Sequence, residues 1–274
     1  GAGIVGVSAA FFLARAGVDV RLLEARAPAA AATGAADGAV SVASKRPGAM
    51  MNAALAGLAL YRDLAAEGVL DGGFLTRSTY LVAVGATEAA VLDGHAEALA
   101  SAGVDVVRHP ANALARLAPA LSPEAEGAIE VRGEGHAIGY DVVRRLIRHA
   151  GLTVERGVAV RGLARGSDGR LLGLDTDRGR IGAAAVVIAA GGGSAELLGL
   201  DGVLGPRRGQ LLVTERAPML NRALPGAIMS ARYLLSKASA KGAPVSPRGY
   251  GLVIDPLRTG QFLVGGTREN DAVR

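Results

Sequence analysis

The chain of 274 residues is 50% hydrophobic and 20% charged, which is the composition of a folded globular protein and excludes dominant disorder. It contains no cysteine, which excludes disulfides, thiolate metal sites and a cysteine nucleophile. The formal net charge of +5 comes from scattered arginines and only 3% of the residues are aromatic, so the composition does not indicate nucleic-acid binding.

The chain begins with a complete Gly-x-Gly-x-x-Gly motif formed by Gly1, Gly3 and Gly6. Such a motif requires glycine for a tight turn from strand to helix, for the close approach of a pyrophosphate and for close packing of the helix. Residues 7–16 have the helical spacing of apolar side chains, and Gly17 predicts the end of that helix. The amides at the N-terminus of this helix would then bind a phosphate.

A strand is predicted next, over residues 18–24, and it ends in the carboxylate of Glu24. A carboxylate at this place accepts hydrogen bonds from the two hydroxyls of a ribose and repels a 2′-phosphate. Glycine-rich turns with this spacing also occur in unrelated compact domains, but the helix, strand and carboxylate together favour dinucleotide binding. The first strand of such a unit belongs upstream of Gly1, so we interpret the sequence as a fragment that lacks this strand.

Two later segments fit the same ligand. Residues 27–38 are rich in small side chains, which would let the backbone come close to something flat or charged, although a flexible loop is the alternative. Residues 183–190 form an uninterrupted apolar run, which predicts a strand buried on both faces. Because ligands bind at the carboxyl ends of parallel strands, the glycines at 191–193 are expected to face the same ligand as Gly3.

Hydrophobic periodicity and turn residues predict the remaining elements. Residues 104–132 have a weak pattern punctuated by prolines, and we interpret them as part of a second domain inserted into the first. Helices are predicted over residues 50–67, 87–102 and 140–150, and strands over residues 75–84, 158–163, 171–176, 180–181, 209–214, 251–254 and 261–265.

Two other classes of catalytic site find no support in the sequence. The histidines at 95, 109, 136 and 149 have no metal-ligand spacing, so we predict no metal and interpret most of them as solvent-facing. Ser194 lacks the nucleophile-elbow pattern that hydrolases place around their serine.

Five stretches give the chain a resemblance to a known family: residues 1–6 with Glu24, 32–39, 135–140, 186–194, and 208–210 with 265–269. In order and spacing they resemble the FAD-dependent D-amino-acid oxidase, glycine oxidase and sarcosine oxidase (DAO) family. Within it, residues 40–48 resemble the catalytic subunits of opine and D-hydroxyproline dehydrogenases.

The resemblance implies an α/β fold in which a Rossmann-like FAD-binding domain, with a parallel sheet and a β-meander, is interleaved with an α+β substrate domain. The substrate domain would be built on a mixed or antiparallel sheet. The implied FAD-binding domain covers residues 1–74 and 134–205, without its first strand and its C-terminal part. The implied substrate domain covers residues 75–133 and 206–274.

The resemblance also implies the contacts with FAD. The opening glycines would hold the pyrophosphate, Glu24 the adenosine ribose, residues 33–39 the pyrophosphate and flavin, and Val158 the adenine through its backbone. Arg26 is implied at the adenosine, with a solvated surface arginine as the alternative. The implied cofactor-binding residues are Gly1, Gly3, Ile4, Val5, Gly6, Glu24, Arg26, Thr33, Gly34, Ala35, Ala36, Gly38, Ala39, Val158, Ala190 and Gly191.

The substrate side is less defined. Relatives bind the substrate carboxylate with an arginine in a Gly-x-Arg-Pro context near their C-terminal end, and this sequence ends before such a motif, so its catalytic residues stay unassigned. Arg268 is interpreted as a structural residue. Tyr250 is implied to line the substrate cavity, with a packed core tyrosine as the alternative.

The implied activity is oxidation of the CH–NH bond of a D-amino acid, an imino acid or an N-substituted amino acid, with hydride transfer to FAD. Electrons would leave to oxygen or through other dehydrogenase subunits. A non-catalytic FAD-holding subunit and an NAD-dependent dehydrogenase stay open as alternatives, because the opening motif alone does not separate NAD from FAD.

The resemblance and composition also set expectations about partners and location. We expect no nucleic acid partner and no transmembrane segment, because no apolar stretch approaches the roughly 20 residues that cross a bilayer. The expected location is the cytoplasm, with a peripheral position at the inner membrane face as an extension of it.

Overall fold

The computed structural model describes residues 1–200, 202–205, 207–238 and 248–269. The chain forms two compact units, the first from residues 1–36, 64–73 and 137–205 and the second from residues 37–63, 74–136 and 206–274. The segment 37–63, which the sequence analysis placed with the FAD-binding domain, therefore groups with the second unit. Val42, Ala43 and Met51 of this segment are buried in a core of the second unit. The functional assignment of the two units stays a prediction.

Helices and strands alternate along most of the chain, and among the described residues no helix is long and apolar enough to span a bilayer. The elements in chain order are α1 (Ile4–Arg15), β1 (Leu22–Glu24), β2 (Ala39–Val40), α2 (Ala49–Ala66), β3 (Leu75–Val84), α3 (Ala86–Ser101), β4 (Val106–Pro110), α4 (Ala111–Leu117), β5 (Ala125–His136), α5 (Gly139–His149), β6 (Val154–Arg156), β7 (Val160–Arg165), β8 (Leu171–Thr176), β9 (Gly179–Gly182), α6 (Ser194–Leu197), β10 (Leu212–Val213), α7 (Pro218–Ala223), β11 (Gly226–Ser230), α8 (Arg232–Ala238), β12 (Arg248–Pro256) and β13 (Phe262–Glu269).

The first unit contains a short parallel sheet and two helices that pack against each other. Strands β1 and β6 are parallel, with Leu22 opposite Val154. Helix α1 contacts α5, and each helix buries an apolar face that includes Phe11 on α1 and Val143 on α5. The antiparallel meander β7–β8–β9 follows. This combination of parallel strands, helices and a meander confirms the fold class that the sequence predicted for this part of the chain.

The apolar run 183–190 is not the buried strand that the sequence predicted. Apart from the Ala183 N–H, which donates to the Leu172 carbonyl oxygen of β8 at 3.1 Å, its backbone pairs with no strand among the described residues, and its side chains are half-buried or exposed, with Val187 61% exposed. Hydrophobicity alone predicted the element, but a strand also requires a neighbour that pairs with its amides and carbonyls. The run instead passes beside the opening glycine turn, where the Ala189 carbonyl faces Gly1, and leads into a 3-10 turn at Gly191–Gly193.

The second unit is built on an eight-stranded mixed sheet. In the described part of the chain its strands run in the order β10, β13, β12, β11, β3, β5, β2, with β4 also paired to β5. Only the β3–β11 pair is parallel among the pairs of this sheet that the structure describes. The antiparallel β3–β5 pair has apolar cores on both faces, and the sheet confirms the predicted mixed sheet.

Alternation along β3 divides the side chains between the two faces of this sheet. Leu81 packs with residues of α3 and α8 in one apolar cluster, whereas Tyr80 and Val82 pack with Leu114 of α4 in another. Strand β5 contributes Ile129 to the first cluster. The sheet is therefore covered on both faces, as a central strand with a continuous apolar run requires.

A bulge near Gly133 changes the alternation of β5. Thr79 and Arg77 of β3, two residues apart, lie opposite Val131 and Glu134, which are three residues apart. The extra residue is accommodated at Gly133, which has φ of +68°, a value that favours glycine. Beyond the bulge, the side chains of β5 point to the opposite face from the one that strict alternation would give them.

The sequence did not predict β5. Its twelve residues include four charged side chains and three glycines, which lower its intrinsic strand propensity. Pairing with β2, β3 and β4 overrides that propensity.

The interpretation of most histidines as solvent-facing is also wrong, because His136 is 5% exposed and the His109 side chain 17% exposed.

The carboxylate of Glu130 forms a buried polar network on the α4 face of the sheet. It accepts hydrogen bonds from Ser78 Oγ at 2.7 Å and from His109 Nε2 at 2.9 Å, and it pairs with Arg132 Nε at 3.2 Å. Burial opposes the ionisation of Glu130, but these donors outweigh it and lower its pKa to about 2. Burial, with the neighbouring charge of Glu130, raises the pKa of Tyr80 to about 12.

We expect this network to make the fold sensitive to acid. Glu130 in the unfolded chain takes up a proton near pH 4.5 and in the folded chain only near pH 2, so its stabilisation is complete above pH 4.5 and is lost as the pH falls through about 2. Within that window the contribution of Glu130 to the free energy of unfolding falls by about 1.4 kcal/mol per pH unit. Urea unfolding at several pH values would measure it.

Glu130→Gln removes the titrating group, so its free energy of unfolding is expected to fall less steeply with pH than that of the unmodified protein. The exposed Glu126 on the same strand supplies the control, and Glu126→Gln is expected to keep the original slope. Equal slopes for all three proteins would contradict the role of Glu130.

Candidate functional site

The opening glycines form a close-packed turn at the start of α1. A Cβ atom at Gly6 would overlap the carbonyl oxygen of Gly1, and a Cβ atom at Gly1 would lie 2.5 Å from the carbonyl oxygen of Ala189. Neither position therefore accepts a side chain unless the backbone moves. Gly3, the N-cap of α1, has more room, since a Cβ atom there would lie 3.1 Å from Thr33 Oγ1. Packing explains two glycines of the motif, and the third keeps the backbone accessible at the helix N-terminus.

The first turn of α1 offers backbone amides to an anion. The Ile4 N–H donates to Thr33 Oγ1 at 3.0 Å, so this predicted phosphate ligand already has an acceptor. The Thr33 hydroxyl can in turn donate its own hydrogen. For the amides of Val5 and Gly6, the described part of the chain provides no acceptor. Two unpaired N–H groups therefore lie at the N-terminus of the helix, which is the positive end of its dipole. This is the arrangement that binds a pyrophosphate.

The carboxylate of Glu24 lies at the C-terminal end of β1 and contacts the glycine turn. Its Oε2 atom accepts from the Ala2 N–H at 2.7 Å, and its Oε1 atom accepts from the Arg26 N–H at 2.8 Å. Each oxygen has a further lone pair, so the carboxylate can also accept from a pair of ribose hydroxyls. The Arg26 side chain is exposed, and its contribution to the geometry comes from its backbone.

The loop after β1 packs against the turn through its backbone. The Ala29 N–H donates to the Ala2 carbonyl oxygen at 2.9 Å, and Ala29 has φ of +57°, which is uncommon for a residue with a side chain. A Cβ atom at Gly34 would overlap the Ala29 carbonyl oxygen, and one at Gly139 would overlap the Thr33 carbonyl oxygen. Sequence reasoning missed the roles of Ala29 and Gly139, although Gly139 ends one of the stretches that carry the family resemblance.

Three further predicted contacts lie in the first unit. The Val158 N–H donates to the Glu24 carbonyl oxygen at 3.1 Å, so only its carbonyl is left to meet an adenine. The Ala190 N–H donates to Ser194 Oγ at 3.0 Å, and Gly191 has φ of +59° with nothing within 4 Å of a Cβ position. The role of Ser194 in shaping this turn was also missed. The predicted residues that the first unit contains are Gly1, Gly3, Ile4, Val5, Gly6, Glu24, Arg26, Thr33, Gly34, Ala35, Ala36, Val158, Ala190 and Gly191.

The remaining predicted residues belong to the second unit. Gly38 is buried, and Ala39 begins β2 with its N–H donating to Asp37 Oδ1 at 3.1 Å. The backbone of Tyr250 lies in β12, but its side chain is outside the described residues, as is that of Arg268. No group of histidine, aspartate and glutamate side chains in the described ranges could hold a metal ion.

A family model described as DAO, FAD dependent oxidoreductase, matches residues 1–274. The chain belongs to this family. It is therefore an FAD-dependent oxidoreductase, and the nicotinamide alternative is removed. No match is found among the curated proteins with which the chain was compared.

Solved structures of the DAO fold resemble the chain along nearly its whole length. Glycine oxidase from Bacillus cereus ATCC 14579 superposes with a TM-score of 0.82 at 22% identity, covering 100% of this chain and 72% of its own. L-proline dehydrogenase from P. horikoshii gives 0.80 at 17% identity, with coverage of 100% and 70%. Iminodiacetate oxidase from Chelativorans sp. BNC1 gives 0.73 at 23% identity, with coverage of 99% and 71%. At these identities the likeness shows a shared fold.

The residues of the first unit fit the nucleotide end of FAD. The unpaired amides of Val5 and Gly6 suit its pyrophosphate, and the Glu24 carboxylate suits its ribose, which carries no 2′-phosphate. The individual contacts stay predictions, and two substitutions test them.

Gly6→Ala is expected to weaken FAD binding by at least ~10-fold, because the new methyl group forces α1 away from the Gly1 carbonyl and displaces the amides. Titration of the apoprotein with FAD, followed by flavin fluorescence, would measure the dissociation constant. Gly57→Ala in the middle of α2 is the matched control, since its Cβ meets nothing within 4 Å. Unchanged affinity for Gly6→Ala would contradict the assignment of this turn.

Glu24→Gln is expected to weaken FAD binding by about 10-fold, because the amide side chain has one acceptor oxygen for the two amides of Ala2 and Arg26. The control is Glu155→Gln on the neighbouring strand, where the half-buried carboxylate pairs with the exposed Arg21 at 2.8 Å. Such a surface pair contributes about 0–1 kcal/mol to stability, and its loss is expected to leave FAD affinity unchanged. The same titration would measure the dissociation constant of FAD for both variants. Equal affinities for the two variants would refute the role of Glu24.

Proposed function

We propose that this protein oxidises the CH–NH bond of an amino acid, an imino acid or an N-substituted amino acid to the corresponding imine. Family membership over residues 1–274, together with the nucleotide-binding geometry of the first unit, carries the proposal. The names of the similar structures add support, since glycine, L-proline and iminodiacetate each carry an amine nitrogen on a carbon next to a carboxylate. Residues 40–48 favour an opine or D-hydroxyproline as the substrate type.

The residues of the first unit would hold the cofactor at its nucleotide end. The amides of Val5 and Gly6, with the Thr33 hydroxyl, would bind the pyrophosphate, and Glu24 would bind the ribose hydroxyls. Bound FAD supplies the acceptor for the electron pair that leaves the substrate carbon. The protein then needs to orient the substrate C–H bond and to accept its amine in the neutral form, so no dedicated acid or base is required.

The remaining predictions extend this proposal. The first unit would serve as the FAD-binding domain and the second as the substrate domain, with Gly38, Ala39 and Tyr250 contributing from the second. Electrons would leave to oxygen or through other dehydrogenase subunits. A cytoplasmic location, peripheral to the inner membrane face where partner subunits require it, fits this route.

The test is anaerobic reduction of the purified, FAD-loaded protein. We expect D-hydroxyproline, an opine or glycine to bleach the visible absorbance of the flavin, because each presents an amine beside a carboxylate. The matched control is a 2-hydroxy acid of the same carbon skeleton, which lacks the amine and is expected to leave the absorbance unchanged. Readmission of air would then separate oxygen from another acceptor.

Two outcomes would contradict the proposal. Bound flavin that no amino, imino or N-substituted amino acid reduces would refute catalysis and favour the non-catalytic FAD-holding subunit. Reduction by the 2-hydroxy acid at the same rate would refute the amine as the substrate group.

A further inference from the structure

The carboxylate of Glu134 is buried in the second unit and has an exposed fraction of 0%. Besides a hydrogen bond from Thr79, it accepts hydrogen bonds from one short segment of the chain. Its Oε1 atom accepts from the Val42 N–H at 2.5 Å and from the Ala43 N–H at 2.7 Å, and its Oε2 atom accepts from Ser41 Oγ at 2.8 Å. Three consecutive residues after β2 therefore donate hydrogen bonds to one side chain.

The two residues that follow Glu134 hold the preceding part of the same segment. Gly135 and His136 pair with β2 in the antiparallel register, and His136 Nε2 lies 2.9 Å from the Asp37 carbonyl oxygen. Burial and the nearby Arg77 charge lower the pKa of His136. Because the Asp37 carbonyl oxygen can only accept, Nε2 is the donor. The tripeptide 134–136 thus contacts the segment 37–43 along its whole length.

A carboxylate at this position is costly, which argues that its acceptor atoms are needed. Burial raises the pKa of Glu134, against hydrogen bonds from Thr79, Ser41 and the amides of Val42 and Ala43. An apolar side chain of similar volume would fill the same space at a lower desolvation cost. Such a side chain would leave the two adjacent amides without an acceptor, and the segment would lose its fixed path.

We propose that Glu134 is a positioning residue that fixes the segment 37–43 and thereby the backbone of Gly38 and Ala39 for FAD. The proposal rests on the proposed function, in which Gly38 and Ala39 contact the cofactor. Ala39 begins β2, and β2 ends immediately before the residues that Glu134 holds. Loss of this anchor would release the carboxyl end of β2 and loosen the path of the cofactor-contacting residues.

The experiment compares FAD dissociation constants of the whole protein and its variants under conditions where far-UV circular dichroism shows each to be folded. Glu134→Ala is expected to bind FAD at least ~10-fold more weakly, because two amides lose their acceptor. Glu134→Gln keeps an acceptor oxygen for both amides and is expected to recover most of that affinity, to within about 3-fold.

Glu130→Ala is the matched control. Glu130 is a buried carboxylate on the same strand, but it contacts Ser78, His109 and Arg132 and does not contact the segment 37–43. This variant is expected to lose stability and to keep its FAD affinity. Should Glu134→Ala fail to fold, Glu134→Asp replaces it, since the shorter carboxylate cannot keep both amides at hydrogen-bonding distance.

The outcomes separate the two proposals. If the unmodified protein binds no FAD, the proposed function fails whatever Glu134 does. If the unmodified protein binds FAD and the Glu134 variants bind it equally well, the positioning role alone is overturned. Equal losses of affinity in the Glu134 and Glu130 variants would show that general destabilisation, and not the segment 37–43, controls binding.

Discussion

The hydrogen bonds of Glu24 are the constraint on which the nucleotide end of the first unit depends. Its carboxylate accepts the Ala2 amide from the glycine turn and the Arg26 amide from the loop after β1. Its carbonyl oxygen accepts the Val158 amide from the segment that leads into the meander. One residue therefore joins three separate stretches of backbone that the three-residue parallel pairing of β1 with β6 would not hold alone.

Much of this site could be predicted because its physics is local in sequence. Glycines before a helix and a carboxylate at the end of the next strand specify the dinucleotide unit through spacing alone. Gly139 and Ser194 could not be assigned a role in this way, because each acts on a distant or irregular backbone segment that spacing does not reveal. The substrate side stays unassigned for a different reason, since the side chain of Tyr250 is outside the described residues.

For the fold, prediction succeeded where periodicity and packing agree. Strand β3 has the predicted bounds, and the predicted helices correspond to α1, α2, α3 and α5 with ends shifted by one to three residues. Prediction failed at residues 183–190, where hydrophobicity suggested a strand without a paired neighbour, and at β5, where paired neighbours form a strand from charged residues and glycines. In both cases partners that are remote in sequence decide the conformation.

Strand β5 uses the same residue type for two separate tasks. Before the bulge Glu130 joins strands on the face covered by α4, and beyond it Glu134 turns to the segment after β2. The single extra residue accommodated at Gly133 separates the two, because the side chains of β5 beyond it point to the opposite face of the sheet from the one that strict alternation would give them. Strict alternation through the same residues would place Glu134 on the same face of the sheet as Glu130. The backbone geometry at Gly133, as much as the chemistry of the strand, is therefore under constraint.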